Sequence, residues 1–183
     1  MAYHHVAIVT QDLAATHSFY TEVMGFTLAR VETAPTPEAW FADGGPTAGW
    51  ARHVFYDTGG GEFLAVWDLH DPDHLPLEFD PSLSRAMGLP PWTNHIAFAA
   101  PTLDVLAARR DHIVAAGVPV VEIDHGWCTS VYAEDPNGNT VEFCCTTGVV
   151  HDGAAAQRLV DPAPPLAPPP EPRFFVPGVA PTG

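Results

Sequence analysis

Histidines open two strand-like stretches, His5-Val6-Ala7-Ile8-Val9 and His95-Ile96-Ala97-Phe98-Ala99, and a glutamate stands inside a third apolar run, Val141-Glu142-Phe143-Cys144-Cys145. A single imidazole in an apolar strand is more often a hydrogen-bonded core group than a metal ligand. A lone carboxylate in such a strand is costly unless it meets a cation. Taken together, His5, His95 and Glu142 offer two nitrogen donors and one oxygen donor, the facial set that leaves open positions on an octahedral metal such as Fe(II). His4 also precedes the first strand, but matching His5-Val-Ala to His95-Ile-Ala places it opposite Asn94, pointing away.

The elements that must position these residues repeat. Each histidine is followed eight residues on by a leucine that begins a helix, Leu13 after the cap Asp12 and Leu103 after the cap Thr102. The first helix runs toward Val23 and stops at Gly25, whereas the second spaces Leu103, Leu106, Ala107, Arg110, Ile113 and Val114 at helical intervals and stops at Gly117. Strands return after each glycine. Each half then ends in a tight turn and one more strand: Asp57-Thr58-Gly59-Gly60 before Glu62 to Asp68, and Asp135-Pro136-Asn137-Gly138 before Thr140 to Cys145. Counting from the two aspartates puts Leu64 where the second copy has Glu142. The repeat thus gives two copies, at about 3–68 and 93–147, of mixed helix and strand, joined by a linker 69–92 that carries five prolines.

Bulk properties set the limits. A chain of 183 residues, 46% of them hydrophobic, can bury one core, expected within 1–150. Seven Lys and Arg against 22 Asp and Glu give a net charge of −15, which repels nucleic acid and anionic membrane. No run of 18 apolar residues and no basic leader mark the sequence, and Cys128, Cys144 and Cys145 suit reduced thiols, so a cytoplasmic protein is expected. From 151 to 183 the composition becomes proline-rich, with nine prolines between Pro162 and Pro181. Such an arm is extended, either disordered or docked through Phe174, Phe175 and Val176.

The repeat, the two histidine openings and the ending Asp135-Pro-Asn-Gly-Asn-Thr-Val-Glu142-Phe143 resemble the vicinal oxygen chelate superfamily of glyoxalases, bleomycin-resistance proteins and extradiol dioxygenases, over roughly residues 3–147. The resemblance implies an α+β fold, two tandem βαβββ modules forming a cupped mixed sheet around a metal site, with ligands from the first and last strand of each module; here those positions are His5, Leu64, His95 and Glu142, and Leu64 cannot ligate. Two His and one Glu is the set that extradiol members use, whereas glyoxalase I-like members fill the fourth position. The stretch from Ile123 to Glu142, with His125, Tyr132, an acidic-Pro-x-Gly turn and Glu142, is similar to the signature of one-domain type I extradiol ring-cleavage dioxygenases. That likeness implies His125 as acid–base group and hydrogen-bond donor toward oxygen, and Tyr132 as the residue that binds a substrate oxygen. Outside the signature, His125 reads as a surface-loop residue and Tyr132 as a strand-packing aromatic.

Ring cleavage of a catechol-type aromatic diol with O2, on Fe(II) or on Mn(II) or another divalent metal, is the activity so implied. Two rivals stand beside it: an oxygen-independent lyase, isomerase or thiol transferase of the glyoxalase or fosfomycin-resistance kind, and a non-catalytic ligand-sequestering resistance protein. Pairing into a homodimer or higher homo-oligomer is an expectation from analogy. The chain departs from the extradiol pattern at one place, where a further histidine is usual and Gly61 and Glu62 stand instead. His53 lies on the preceding strand and is expected to face away from Val54, the counterpart of Tyr132, while His70 lies beyond the strand end. Trp40, Phe41, Trp50, Trp67 and Trp92 are candidates for an aromatic pocket, with core packing the expected role of most.

Overall fold

Each histidine-led segment folds as β-α-β-β-β in a computed structural model that describes residues 3–36, 48–75, 78–150, 153–160 and 168–179. The first copy comprises β1 (His5–Thr10), α1 (Leu13–Ser18), β2 (Thr27–Pro35), β3 (Trp50–Asp57) and β4 (Phe63–His70). A short 3-10 helix, Arg85–Met87, precedes the second copy: β5 (His95–Ala99), α2 (Leu103–Ala115), β6 (Val120–Asp124), β7 (Cys128–Glu134) and β8 (Thr140–Thr146). A helix α3 (Gly153–Val160) and a strand β9 (Pro172–Phe175) follow. The first sheet has the order β1-β4-β3-β2 and the second β5-β8-β7-β6-β9, so the two copies share one mixed topology and β9 is an addition. The chain divides into two compact units, Met1–Ile96 with Glu134–Val141, and Ala97–Ala133 with Glu142–Gly183.

In the first unit, alternation along the strands sends Ile8, Val54, Tyr56, Leu64 and Val66 to a buried face. The helix that begins at Asp12, whose side chain accepts from the Ala15 N–H, covers that face. It does not continue regularly to Val23: from Phe19 to Val23 the turns widen to π geometry, with the Met24 N–H donating to the Phe19 carbonyl at 2.9 Å. The wider turn brings both Phe19 and Tyr20 into the core, where the Tyr20 ring lies 5.9 Å from that of Tyr56 and 6.1 Å from that of Phe26.

The turn Asp135-Pro136-Asn137-Gly138-Asn139 belongs to this same unit and is a structural knot. Asp135 accepts from the backbone N–H of Asn137 and of Asn139 and from the Tyr20 hydroxyl at 2.8 Å. Asn137 accepts from the Thr10 hydroxyl, Asn139 accepts from the Leu83 N–H, and Gly138, at φ +77°, lies against the Arg85 guanidinium where a Cβ would collide. Burial, and then the Asp135 charge, push the Tyr20 hydroxyl well above its ordinary value, so it stays a donor. Tyr20→Phe is therefore expected to leave a buried carboxylate oxygen short of one donor and to cost about 1–3 kcal/mol, measurable as a lower urea midpoint with an unchanged slope.

In the second unit, Thr102 caps α2 by accepting from the Val105 N–H, and Leu106 and Ile113 are buried, as are Val131, Phe143 and Cys145. Leu103, the first helical residue, points to solvent instead. The proline-rich arm docks where it is described. β9 pairs antiparallel with β6, from Val120 against Phe175 to Ile123 against Pro172, and Arg173 and Arg110 both reach Glu122, at 2.6 and 2.8 Å. The Arg110 guanidinium also lies over the Phe175 ring. Pro172 has no N–H to give, so it suits the start of an outermost strand, and β9 covers an edge that β6 would otherwise expose.

Candidate active site

The hairpin between β6 and β7 carries His125. Its tip is held by the Asp124 carboxylate, which accepts from the Gly126 N–H at 2.8 Å, and by the His125 N–H donating to the Cys128 carbonyl at 2.9 Å. Gly126 takes φ +83°, which favours glycine at the reversal. Seven residues on, β7 presents Tyr132, whose hydroxyl meets His125 Nε2 at 3.0 Å with the rings edge-on. The structure thus joins the two residues that the signature singles out.

On β8, Phe143, over which Arg109 of α2 lies, and Cys145 share one face, so Glu142 and Cys144 face the other side of the strand. Glu142 is 5% exposed. Its charge, after burial, helps push Tyr132 up to about 12, as do Cys128 and Cys144, while a Ser130 hydrogen bond acts the other way. A phenol so shifted keeps its proton at any working pH. Burial likewise pushes the Cys144 thiol up to about 11, with contributions from Cys128 and Glu142 against a Ser130 hydrogen bond; all three cysteines are free thiols. Glu142, Tyr132, Ser130, Cys128 and Cys144 form one polar strip in a largely apolar sheet.

The histidines that open β1 and β5 sit at exposed strand starts. His95 Nδ1 lies 3.2 Å from the Trp92 carbonyl; as an N–H donor there, it leaves the lone pair on Nε2, the tautomer arrangement found at metal-ligating histidines. Phe98 packs on Phe143, so His95, three residues earlier, lies on the opposite side of β5. His5 Nδ1 lies 2.7 Å from His4 Nδ1, so His4 stands against His5 rather than pointing away from it. Among the described residues, no three His, Cys, Asp or Glu side chains are grouped so as to hold a metal ion. The donor chemistry within each unit suits a divalent metal nonetheless: an imidazole with its tautomer set by a carbonyl, and a buried carboxylate that a cation would neutralise.

Strand ends correct the residue count between the copies. β3 ends at Asp57 and β4 begins at Phe63, while β7 ends at Glu134 and β8 begins at Thr140, so the two connections have equal length. Glu142 is therefore matched by Ala65, not by Leu64, which lies buried on the α1 side. Alanine cannot ligate either, and three protein ligands remain. Tyr132 is matched by Phe55 and Ser130 by His53. His53 does face away from Val54, and that direction is the face on which His5 stands. Burial, then the His5 charge, lower its basicity. Sequence reasoning left His53 without a role, although equal loop lengths would have revealed its side.

Aromatic residues fall differently from the expectation of core packing. Trp92 is 70% exposed, Trp50 is stacked on His70 at 4.0 Å and partly exposed, and Trp67 lies flat on His53; Trp40 and Phe41 lie outside the described residues. A cavity of about 690 Å³ lies at the far ends of β1 and β4, walled by Trp50, Asp68, His70, Asp71 and Phe79 among others, and none of the five predicted site residues borders it. Among the described residues, no helix is long and apolar enough to cross a membrane.

With this geometry in place, residues 2–143 match the family model of the glyoxalase/bleomycin resistance protein/dioxygenase superfamily. The chain belongs to that superfamily. One relative, biphenyl-2,3-diol 1,2-dioxygenase 2 of Rhodococcus globerulus, is 34% identical over 95 residues, covering 50% of this chain and 48% of its own. The chain thus spans about half the length of the curated relative it matches. Among solved structures, a glyoxylase/bleomycin resistance protein/dioxygenase domain from Frankia sp. EAN1pec superposes with a TM-score of 0.53 at 16% identity, over 80% of this chain and 98% of that one. The fosfomycin resistance protein FosX from Listeria monocytogenes gives a TM-score of 0.50 at 15% identity, over 80% and 94%. Both likenesses are of fold.

Proposed function

We propose that this superfamily member is an extradiol dioxygenase that cleaves a catechol-type aromatic ring with O2, using Fe(II) held by His5, His95 and Glu142. The observation that carries this reading is the His125–Tyr132 pair at 3.0 Å, on the polar strip that Glu142 shares. The partial likeness to a biphenyl-2,3-diol dioxygenase supports it. When bound, the metal would draw two adjacent hydroxyl oxygens together and make their protons easier to lose.

The rest falls to the chain's own side chains. Tyr132, held protonated, donates a hydrogen bond to a substrate oxygen. His125, exposed on a hairpin, donates from Nε2 to the Tyr132 hydroxyl, takes up a substrate hydroxyl proton at Nδ1 and returns it to the product. The Tyr132 hydroxyl fixes which nitrogen faces the substrate.

Oxygen uptake tests the proposal. Protein purified without oxygen and loaded with Fe(II) is expected to consume O2 with a panel of catechols while a ring-opened chromophore appears. Metal binding without uptake on any diol would sink it in favour of oxygen-independent lyase or transferase chemistry.

A further inference from the structure

The face of the first sheet that carries His5 also carries a polar atom with nothing to bond. Register places His5 opposite Phe63, Phe55 opposite Ala65, and His53 opposite Trp67, all on the side away from the α1 core. The His53 ring lies flat on Trp67, with centroids 3.8 Å apart and planes 7° from parallel, and Phe55 braces it at 4.2 Å. The His5 ring stands 6.0 Å away. Held in this stack, His53 Nε2 is buried and has no hydrogen-bond partner among the described residues.

A buried nitrogen left unsatisfied destabilises a fold, and an apolar side chain would stack on Trp67 without that penalty. Such a group is explained by a partner that arrives from outside. We infer that His53 is a substrate-binding residue: its imidazole nitrogen hydrogen-bonds to a hydroxyl of an aromatic diol seated beside His5, with Phe55 and Trp67 as the apolar wall. This inference rests on the dioxygenase reading above and adds to it the residue that selects a hydroxylated ring on this side. Phe55 and Trp67 sit within their strands, whereas His5 occupies the first residue of β1 and is exposed, so a turn of the His5 side chain is the least costly way to admit the ligand.

Binding to the Zn(II)-loaded full chain, which holds the diol without turning it over, provides the test, with 4-nitrocatechol as the probe and its absorbance as the readout. His53→Phe is expected to weaken 4-nitrocatechol binding about tenfold, the worth of one hydrogen bond to a buried group, with Zn(II) affinity within about twofold of the parent. His53→Gln, whose amide can still accept, is expected to recover most of the loss. His53→Leu carries the same test should phenylalanine not fit beside Trp67. Unchanged 4-nitrocatechol affinity in the apolar variants overturns the assignment while leaving the dioxygenase reading intact, and a parallel loss of Zn(II) overturns it by making His53 a metal group. A parent protein that takes up Zn(II) but no 4-nitrocatechol overturns both.

Discussion

Glu142→Gln is expected to abolish metal binding while leaving the metal-free protein within about 1 kcal/mol of the parent in stability. Glu142 is 5% exposed between Val141 and Phe143, both buried. Glutamine fills the same volume without a charge, so the metal-free fold loses little. The bound state loses much, because the carboxylate is the one anionic donor in the proposed set and its burial is compensated by the cation. A metal present at 100 times its dissociation constant contributes about 2.7 kcal/mol to stability. For a chain of this size that is a rise of about 5–10 °C in Tm. Thermal melts with and without Zn(II) should show that rise in the parent and none in E142Q, with calorimetric affinity lower by about 100-fold or more. An E142Q protein that binds Zn(II) like the parent would remove Glu142 from the ligand set, and a large loss of metal-free stability would make it a structural acid instead.

What the sequence made legible, and what it hid, separates along physical lines. The caps Asp12 and Thr102, the glycine stops and the paired strand openings are local signals, and each stands in the structure as its local chemistry dictates. Strand register is not local. Counting from Asp57 and Asp135 assumed that these aspartates are equivalent, but Asp57 ends β3 while Asp135 follows the end of β7, and a slip of one residue moves every side chain to the other face. Leu64 and His53 were misplaced by that slip alone. The Asp-Pro-Asn-Gly-Asn run, conspicuous as a family mark, proved to be a hydrogen-bonded knot binding Thr10, Thr16 and Tyr20, whose partners lie more than 100 residues away and leave no trace in the spacing. The π turn at Phe19–Val23 was equally hidden, since it answers to what the core needs at Phe19 and Tyr20 rather than to helix propensity.

His125→Ala is expected to keep the parent's metal affinity and stability yet lower kcat by about 10²–10⁴-fold. The residue sits exposed at a hairpin whose geometry is fixed by Asp124, Gly126 and the backbone of Cys128, so alanine leaves the hairpin in place. What goes is the proton carrier, and with it the partner of the Tyr132 hydroxyl. Tyr132→Phe removes the other half of the pair, and because the two groups act through one hydrogen bond, the double variant should cost little more than His125→Ala alone. The pH profile separates their roles further. Tyr132, pushed up to about 12, does not ionise over the range in which most enzymes are assayed, so Tyr132→Phe should lower the height of the profile and leave its shape unchanged. His125→Ala should instead change the shape of the profile, because it removes the group that carries the proton. Additive losses in the double variant would mean that the pair does not work as a unit. Full activity in His125→Ala would mean that the proton leaves the diol by another route, and the dioxygenase roles given to both residues would fall with it.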